Sequence, residues 1–192
     1  MKVVLATSNQ HKIAEIKQIM GKGFEFITLN IKVEEDGKTF AENALKKAKF
    51  AYKTCGIPVI SDDSGIEIDA LNGVLGVKSA RFMEGCSYAE KNKKILDMMN
   101  HVPTEKRSAR FKCVAVYYDG TPHFFEGVIE GRIATQPRGK NGFGYDPIFL
   151  PYGYEKTMAE LPPEVKNDIS HRAQAFKKIA EYLKKNKKSV QK

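Results

Sequence analysis

Tryptophan is absent from the chain, and cysteine occurs only three times, at Cys55, Cys86 and Cys113. An odd number of cysteines without metal-ligand spacing excludes a disulfide framework and a zinc finger, and predicts reduced thiols in a cytoplasmic protein. No run approaches the roughly 18 apolar residues of a membrane span, and the opening Met1-Lys2-Val3-Val4-Leu5-Ala6 is too short for a secretory leader, so no membrane partner is expected. Low-complexity segments and internal repeats are missing. Acidic residues are the scarcer charge, 23 against 32 basic ones, for a formal net charge of +9. That excess suits either nucleic acid or a small polyanion drawn into a basic cleft. Part of it sits in the tail lysines 184, 185, 187, 188 and 192, the pattern of a solvated helix end. Helix-turn-helix, RNP-type and zinc signatures are all lacking, which disfavours a nucleic-acid module.

The chain is of a length for one domain, residues 1–192, with 42% apolar and 29% charged residues, a globular balance. Against its scarcity of acids, one stretch stands out: Ser61-Asp62-Asp63-Ser64-Gly65-Ile66-Glu67-Ile68-Asp69-Ala70 carries four carboxylates. Ile57 to Ile60 reads as a buried strand and Ile66 to Ala70 as an alternating second one, which places Asp62 and Asp63 at a strand end. Two readings fit. One is a polar Asp-Asp-Ser-Gly turn; the other is half of a site for Mg²⁺, which is held by one or two carboxylates together with substrate phosphates.

Lys2 to Ala6 is an apolar strand, and Thr7-Ser8-Asn9 breaks it before Ile13, Ile16 and Met20 take up helical spacing. A polar turn feeding a helix N-terminus, with Lys12 one turn in, describes a phosphate site or a plain N-cap. It is not a P-loop, since the required glycines and Gly-Lys-Ser/Thr are absent. Phe24 to Leu29 is a second strand, Val33 to Gly37 an acidic loop, and Thr39-Phe40-Ala41-Glu42 a capping box opening a helix with Leu45, Ala48 and Tyr52 inward. Glu34 and Glu35 either remain solvated or complete a metal site with Asp62 and Asp63. Residues 71 to 82 read as a surface loop carrying Arg81 as a phosphate-contact candidate.

Ser87-Tyr88-Ala89-Glu90 is a second capping box, with Tyr88, Ile95, Leu96 and Met99 inward. Arg107 to Tyr118 and His123 to Ala134 alternate on either side of Asp119-Gly120, a long hairpin. Thr135 to Pro147 is a glycine-rich loop whose Phe143 and Tyr145 serve either a flat ligand or the core. Thr157 to Glu160 is a possible third box, and Ser170 the N-cap of a last helix with Ala173, Phe176, Ala180 and Leu183 buried. His171 and Arg172 put positive groups in its first turn, where the dipole disfavours them unless an anion or another partner is near. Strands alternating with helices, followed by a hairpin, predict an α/β fold with a mixed sheet.

Five segments in order carry a resemblance: Thr7-Ser8-Asn9-Gln10-His11-Lys12, Glu34 through Ala44, Ser61-Asp62-Asp63-Ser64-Gly65, Gly142-Phe143-Gly144-Tyr145-Asp146-Pro147 and Ser170-His171-Arg172. Together they resemble the inosine triphosphate pyrophosphatase family, which hydrolyses non-standard purine nucleoside triphosphates to monophosphate and pyrophosphate. The resemblance implies an elongated mixed sheet with flanking helices, two lobes around a central substrate cleft, a homodimer, and Mg²⁺ as cofactor. It implies Thr7, Ser8, Asn9, Gln10, His11 and Lys12 as the triphosphate loop. Glu34 and Asp63 are implied as metal ligands, with Asp63 also the general base and Ser64 a substrate contact. Phe143, Gly144, Tyr145 and Asp146 are implied as the base pocket, closed by Lys166, His171 and Arg172, with Phe143 stacking and Arg172 donating to the 6-oxo group. The family commonly has glycine where this chain has Ser8, so a left-handed turn there would be strained. A related pyrophosphatase for modified pyrimidine or methylated nucleotides is the nearest rival reading.

Overall fold

The computed structural model describes residues 1–189, with side chains through Asn186. In chain order the elements are β1 (Lys2–Leu5), α1 (Gln10–Met20), β2 (Glu25–Thr28), α2 (Phe40–Cys55), β3 (Val59–Ile68), α3 (Tyr88–Met98), β4 (Ser108–Tyr118), β5 (Pro122–Ile133), β6 (Phe149–Pro151), α4 (Pro163–Ile169) and α5 (His171–Ser189). The strands are ordered β2-β1-β3-β4-β5-β6. β1 is parallel to both β2 and β3, while β6 is antiparallel to β5, so the sheet is mixed as expected. The chain divides into two compact units, residues 1–63, 113–127 and 171 onward in the first, and 64–112 with 128–170 in the second.

In unit 1 the period-two alternation of β1 sorts the core. Val3 and Leu5 join Ile16 and Met20 of α1 and Phe176 and Ile179 of α5. Val4 and Ala6 face the other way, onto Ala44, Ala48 and Ala51 of α2. A parallel strand covered by helices on both faces must be apolar where it is covered, and β1 is from Val3 through Leu5. The small alanines of α2 let that helix lie close to the sheet. Asn9 caps α1, its side chain accepting the Lys12 N–H, and Thr39 caps α2. The carboxylate of Glu42 takes the N–H of Lys38 rather than that of Thr39, so the expected capping box is half formed. Lys184 and Lys185 are exposed on α5. The side chains of Lys187 and Lys188, and all of Lys192, lie outside the described residues.

Unit 2 buries Ile66, Ile68, Phe111, Ile133 and Phe149 of the sheet against Ile95 and Met99. The Ser87–Glu90 box is complete. Tyr88, expected inward, is 40% exposed, and Lys91 and Asn92 are buried instead. Arg107 carries its charge to the C-terminal end of α3, donating to the carbonyls of Met99 and Val102, where the helix dipole favours a cation. The Thr157–Glu160 box opens no helix: Glu160 accepts the Thr157 N–H, but the Thr157 hydroxyl donates to Arg138 O.

The acidic stretch corrects the sequence reading most. There is no turn at Asp62-Asp63-Ser64-Gly65; Val59–Ile68 is one unbroken strand, buried almost throughout. Gly65 is there because another segment presses on it. A Cβ at that position would stand 2.6 Å from Ser79 Oγ, and the Ser79 hydroxyl accepts the Ile66 N–H at 3.0 Å. Residues 71–82 are accordingly part core, with Leu71, Leu75 and Ser79 buried and Arg81 exposed. Glu67 and Asp69 belong to a surface network, with Lys112 on Glu67 and Arg110 shared between Asp69 and Glu130.

Candidate active site

In unit 1, β3 carries Asp62 and Asp63 into a cluster of charges supplied by α1, the acidic loop, α2 and α5. Asp62 is 1% exposed and is surrounded by cations: Lys12 Nζ of α1 lies 2.8 Å from its Oδ2, and Arg172 of α5 lies 3.7 Å from the same atom. The Arg172 guanidinium, itself 2% exposed, also meets Glu15 Oε2 at 2.7 Å. Cys113 of β4 lies near the same oxygen, its sulfur 3.9 Å from Asp62 Oδ2. Lys47 reaches from α2 to the main-chain oxygen of Asp62 at 2.6 Å and pairs with Glu35. Asn43, one turn earlier on the same face, donates to Asp63 Oδ2 at 2.9 Å and accepts the Gly37 N–H at 2.8 Å. The acidic loop is thereby tied to the acidic strand.

Two neighbouring aspartates end up with opposite proton affinities. Burial alone would raise both. For Asp62, Lys12, Arg172 and Lys47 outweigh it and hold the carboxyl well below the usual range. For Asp63 burial wins, the charge of Glu35 adds to it, and the opposing pull of Lys47, Asn43 and Lys12 is smaller, so its carboxyl is raised. Asp62 is thus a fixed anion that organises cations. Asp63 has the raised affinity that burial gives a carboxyl, the direction that suits a general base. Burial opposes the charge of Lys47 and Arg172, yet the surrounding acids raise both.

The expected metal-ligand pair is Glu34 and Asp63. Glu34 is exposed on its loop; the carboxylate coupled to Asp63 is Glu35. Among the described residues no group of three or more His, Cys, Asp or Glu side chains is placed to hold an ion. A carboxylate pair fits the sparser Mg²⁺ mode, in which phosphate oxygens and water complete the shell.

The expected triphosphate loop is the β1–α1 turn. Thr7, Asn9 and Lys12 are half-buried, and Ser8, Gln10 and His11 exposed. The Thr7 hydroxyl accepts the Asn9 N–H. No acid occupies the first turn of α1, which leaves its dipole uncompensated toward an anion. Ser8 is not among the described residues with positive φ, Asn72 and Met83 being the non-glycine ones, so serine there is unstrained.

In unit 2, Asp146 and Lys166 form a pair 3% and 4% exposed. Asp146 also accepts the Phe143 N–H at 2.8 Å, and Lys166 Nζ stands 4.7 Å from the centre of the Phe143 ring. Gly142 permits this: φ is +72°, and a Cβ there would lie 3.0 Å from Lys166 Nζ. Phe143 is half-buried, whereas Tyr145 is a core residue whose hydroxyl donates to Ser79 O at 2.6 Å. Ser64 is half-buried on β3. Lys166 therefore belongs to the Phe143 set, while His171 and Arg172 belong to unit 1 with Asp62.

The chain matches the model of the Ham1 family over residues 3–182. It belongs to the Ham1 family. Among relatives, the dITP/XTP pyrophosphatase of Thermoanaerobacter pseudethanolicus is 47% identical, covering 96% of this chain and 98% of its own. That of Elusimicrobium minutum is 45% identical, covering 96% and 100%. The Ham1 protein of Coxiella burnetii superposes with a TM-score of 0.88 at 41% identity, over 96% of this chain and 99% of that one. The Staphylococcus aureus Ham1 protein does so with 0.86 at 38%, over 97% and 100%.

Sequence reasoning passed over Lys47, Asn43 and Glu15. A signal existed for two of them. Phe40, Asn43, Ala44, Lys47, Ala48 and Ala51 share the buried face of α2, and a lysine on an apolar stripe demands a buried partner. The residues pairing with Lys47 come from β3 and a loop, and helical spacing does not report on them.

Proposed function

We propose that this Ham1-family protein is a nucleoside-triphosphate pyrophosphatase that converts ITP, dITP or XTP to the monophosphate and pyrophosphate. The observation that carries the reading is the meeting of Lys12 and Lys47 with the acidic strand: Lys12 lies 2.8 Å from Asp62 Oδ2, Lys47 lies 2.6 Å from the Asp62 main-chain oxygen and pairs with Glu35, and Asn43 holds the neighbouring Asp63 at 2.9 Å. Lys12, Lys47 and the N-terminus of α1 bind the triphosphate, and Thr7, Ser8, Asn9, Gln10 and His11 line its loop. Glu35 and Asp63 would hold Mg²⁺, which when bound would neutralise part of the triphosphate charge. Asp63 orients a water and takes its proton; the water oxygen bonds to the α-phosphorus, the bond from that phosphorus to the bridging oxygen breaks, and the electron pair leaves on pyrophosphate.

Phe143 stacks on the base, with Asp146 and Lys166 fixing its loop and Ser64 a further substrate contact. Arg172, oriented by Glu15 and followed on from His171, donates to a 6-oxo group. The 6-amino group of ATP presents a donor instead, and leaving a buried donor unpaired costs about 1–3 kcal/mol, one to two decades in rate. The protein works in the cytoplasm as a homodimer. Turnover of ITP, XTP, dITP, ATP, GTP and a modified pyrimidine triphosphate with Mg²⁺ tests the reading, alongside light scattering for the dimer. Equal rates on ATP and ITP overturn the selectivity, and a pyrimidine preference favours the rival house-cleaning activity.

A further inference from the structure

Asn92 stands in the second turn of α3, on the buried face of that helix with Lys91 and Ile95. Its side chain is polar at a position where the apolar stripe calls for leucine, and it is 3% exposed. Nδ2 donates to Gly144 O at 3.0 Å. Oδ1, withdrawn from water, has no hydrogen-bond partner among the described residues. An amide oxygen buried in that way is a net cost, so stability alone does not favour asparagine here over leucine. Turning the amide over would set two acceptors face to face, so the donor must point to Gly144.

What Asn92 supplies is therefore the bond to one peptide. Gly144 adopts φ +68° between the half-buried Phe143 and the buried Tyr145. The start of α3 braces the same loop at further points. The Tyr88 ring meets Tyr145 edge-on at 5.3 Å, and Lys91 Nζ lies 5.0 Å from the Tyr88 ring centre while donating to Ala80 O at 3.0 Å. Ser79, next to Ala80, receives the Tyr145 hydroxyl. Tyr145 is thus pinned by its ring and hydroxyl, and Phe143 from the other side by Asp146. The Gly144 peptide joins the two, and a left-handed glycine peptide left untethered is free to rotate.

We propose that Asn92 is a positioning residue for the base-recognition loop, holding the Gly144 carbonyl from α3 so that Phe143 keeps the orientation that receives a purine. The inference rests on the reading of that loop given above. Its test is steady-state kinetics of the full chain on ITP and ATP for wild type, Asn92→Leu and Asn92→Asp, with thermal unfolding alongside. Asn92→Leu, which lacks the donor and fills the space, raises KM for ITP about 10-fold and leaves kcat within about twofold, since a small misplacement of a binding group weakens binding without touching the reacting atoms. Asn92→Asp behaves likewise at neutral pH; normalised to wild type, its KM falls back as the pH drops and the protonated acid donates to Gly144 O. Folded Asn92→Leu with unchanged KM overturns the role, as does Asn92→Asp with a KM elevated equally at every pH. If Asn92→Leu does not fold, the pH profile of Asn92→Asp decides alone. Phe143→Ala with an unchanged KM for ITP overturns the reading of the loop itself, whereas a KM that rises in Phe143→Ala but not in folded Asn92→Leu overturns only the part given to Asn92.

Discussion

Lys47 Nζ lies 2.6 Å from the main-chain oxygen of Asp62, so the one lysine buried in α2 is fastened to the strand that carries both aspartates. The same ammonium pairs with Glu35. It sets the distance between the acidic loop and the acidic strand, and it neutralises part of the charge that Asp63 feels. Lys47→Met removes one partner of a largely buried pair, a loss of about 3–5 kcal/mol of stability. A fall in kcat on the order of 10²–10³ should accompany it, the scale of removing a preorganised electrostatic group. Urea unfolding and single-turnover rates measure the two effects separately.

Asp63→Asn and Asp62→Asn should fail differently. The first keeps shape and loses a base, so the protein folds and kcat drops by about 10²–10⁴. The second leaves Lys12 and Arg172 without their shared anion, and its first symptom is lost stability. Melting temperatures beside initial rates separate them; an Asp63→Asn variant with near wild-type turnover would remove that residue from the chemistry.

Stability should fall in acid because of Asp62. Its native carboxyl lies below the ordinary value of 3.8. A depressed native pKa gives stabilisation that is complete above the ordinary value and is lost as pH falls through the native one. Denaturant midpoints between about pH 5 and 2 should therefore decline in wild type, and decline less steeply in Asp62→Asn.

Glu35 and Glu34 are adjacent and should not be interchangeable. Glu35→Gln removes the carboxylate coupled to Asp63, and the Mg²⁺ concentration for half-maximal rate should rise by about 10-fold or more. Glu34→Gln, on an exposed side chain, should leave it within about twofold. The reverse ranking would restore the pair that the sequence suggested.

Gly142→Ala places a Cβ against the Asp146–Lys166 pair in a left-handed backbone. A cost of about 1–3 kcal/mol should appear in thermal unfolding, together with a raised KM for ITP.

Much of the architecture is local and was legible without coordinates. Alternation in residues 108–118 and 122–133 around Asp119-Gly120 specifies the hairpin, and the Ser87–Glu90 box starts α3 where the side chains can reach their own backbone. The polar β1–α1 turn with Lys12 and the glycine-rich Gly142–Pro147 loop are legible as breaks between elements, but their composition suits a cap or a core plug as well as a ligand, and Asn9 does cap α1 while Tyr145 joins the core. The acidic stretch was not legible. Its Asp-Asp-Ser-Gly sequence has the chemistry of a turn, and it stays a strand because Lys12, Arg172, Lys47 and Asn43 compensate two buried carboxylates and Ser79 fills the space beside Gly65.

The sequence by itself determined the elements, the family and the residue types that can handle a triphosphate, since these follow from short-range periodicity and from motifs in order. Only the tertiary structure decided which partners the acids meet. It set Lys12 and Arg172 on Asp62, Asn43 on Asp63, Lys47 between Glu35 and the Asp62 main chain, and Glu15 on Arg172. Burial and charge compensation are properties of the neighbours that a side chain meets, and those neighbours lie tens of residues away along the chain.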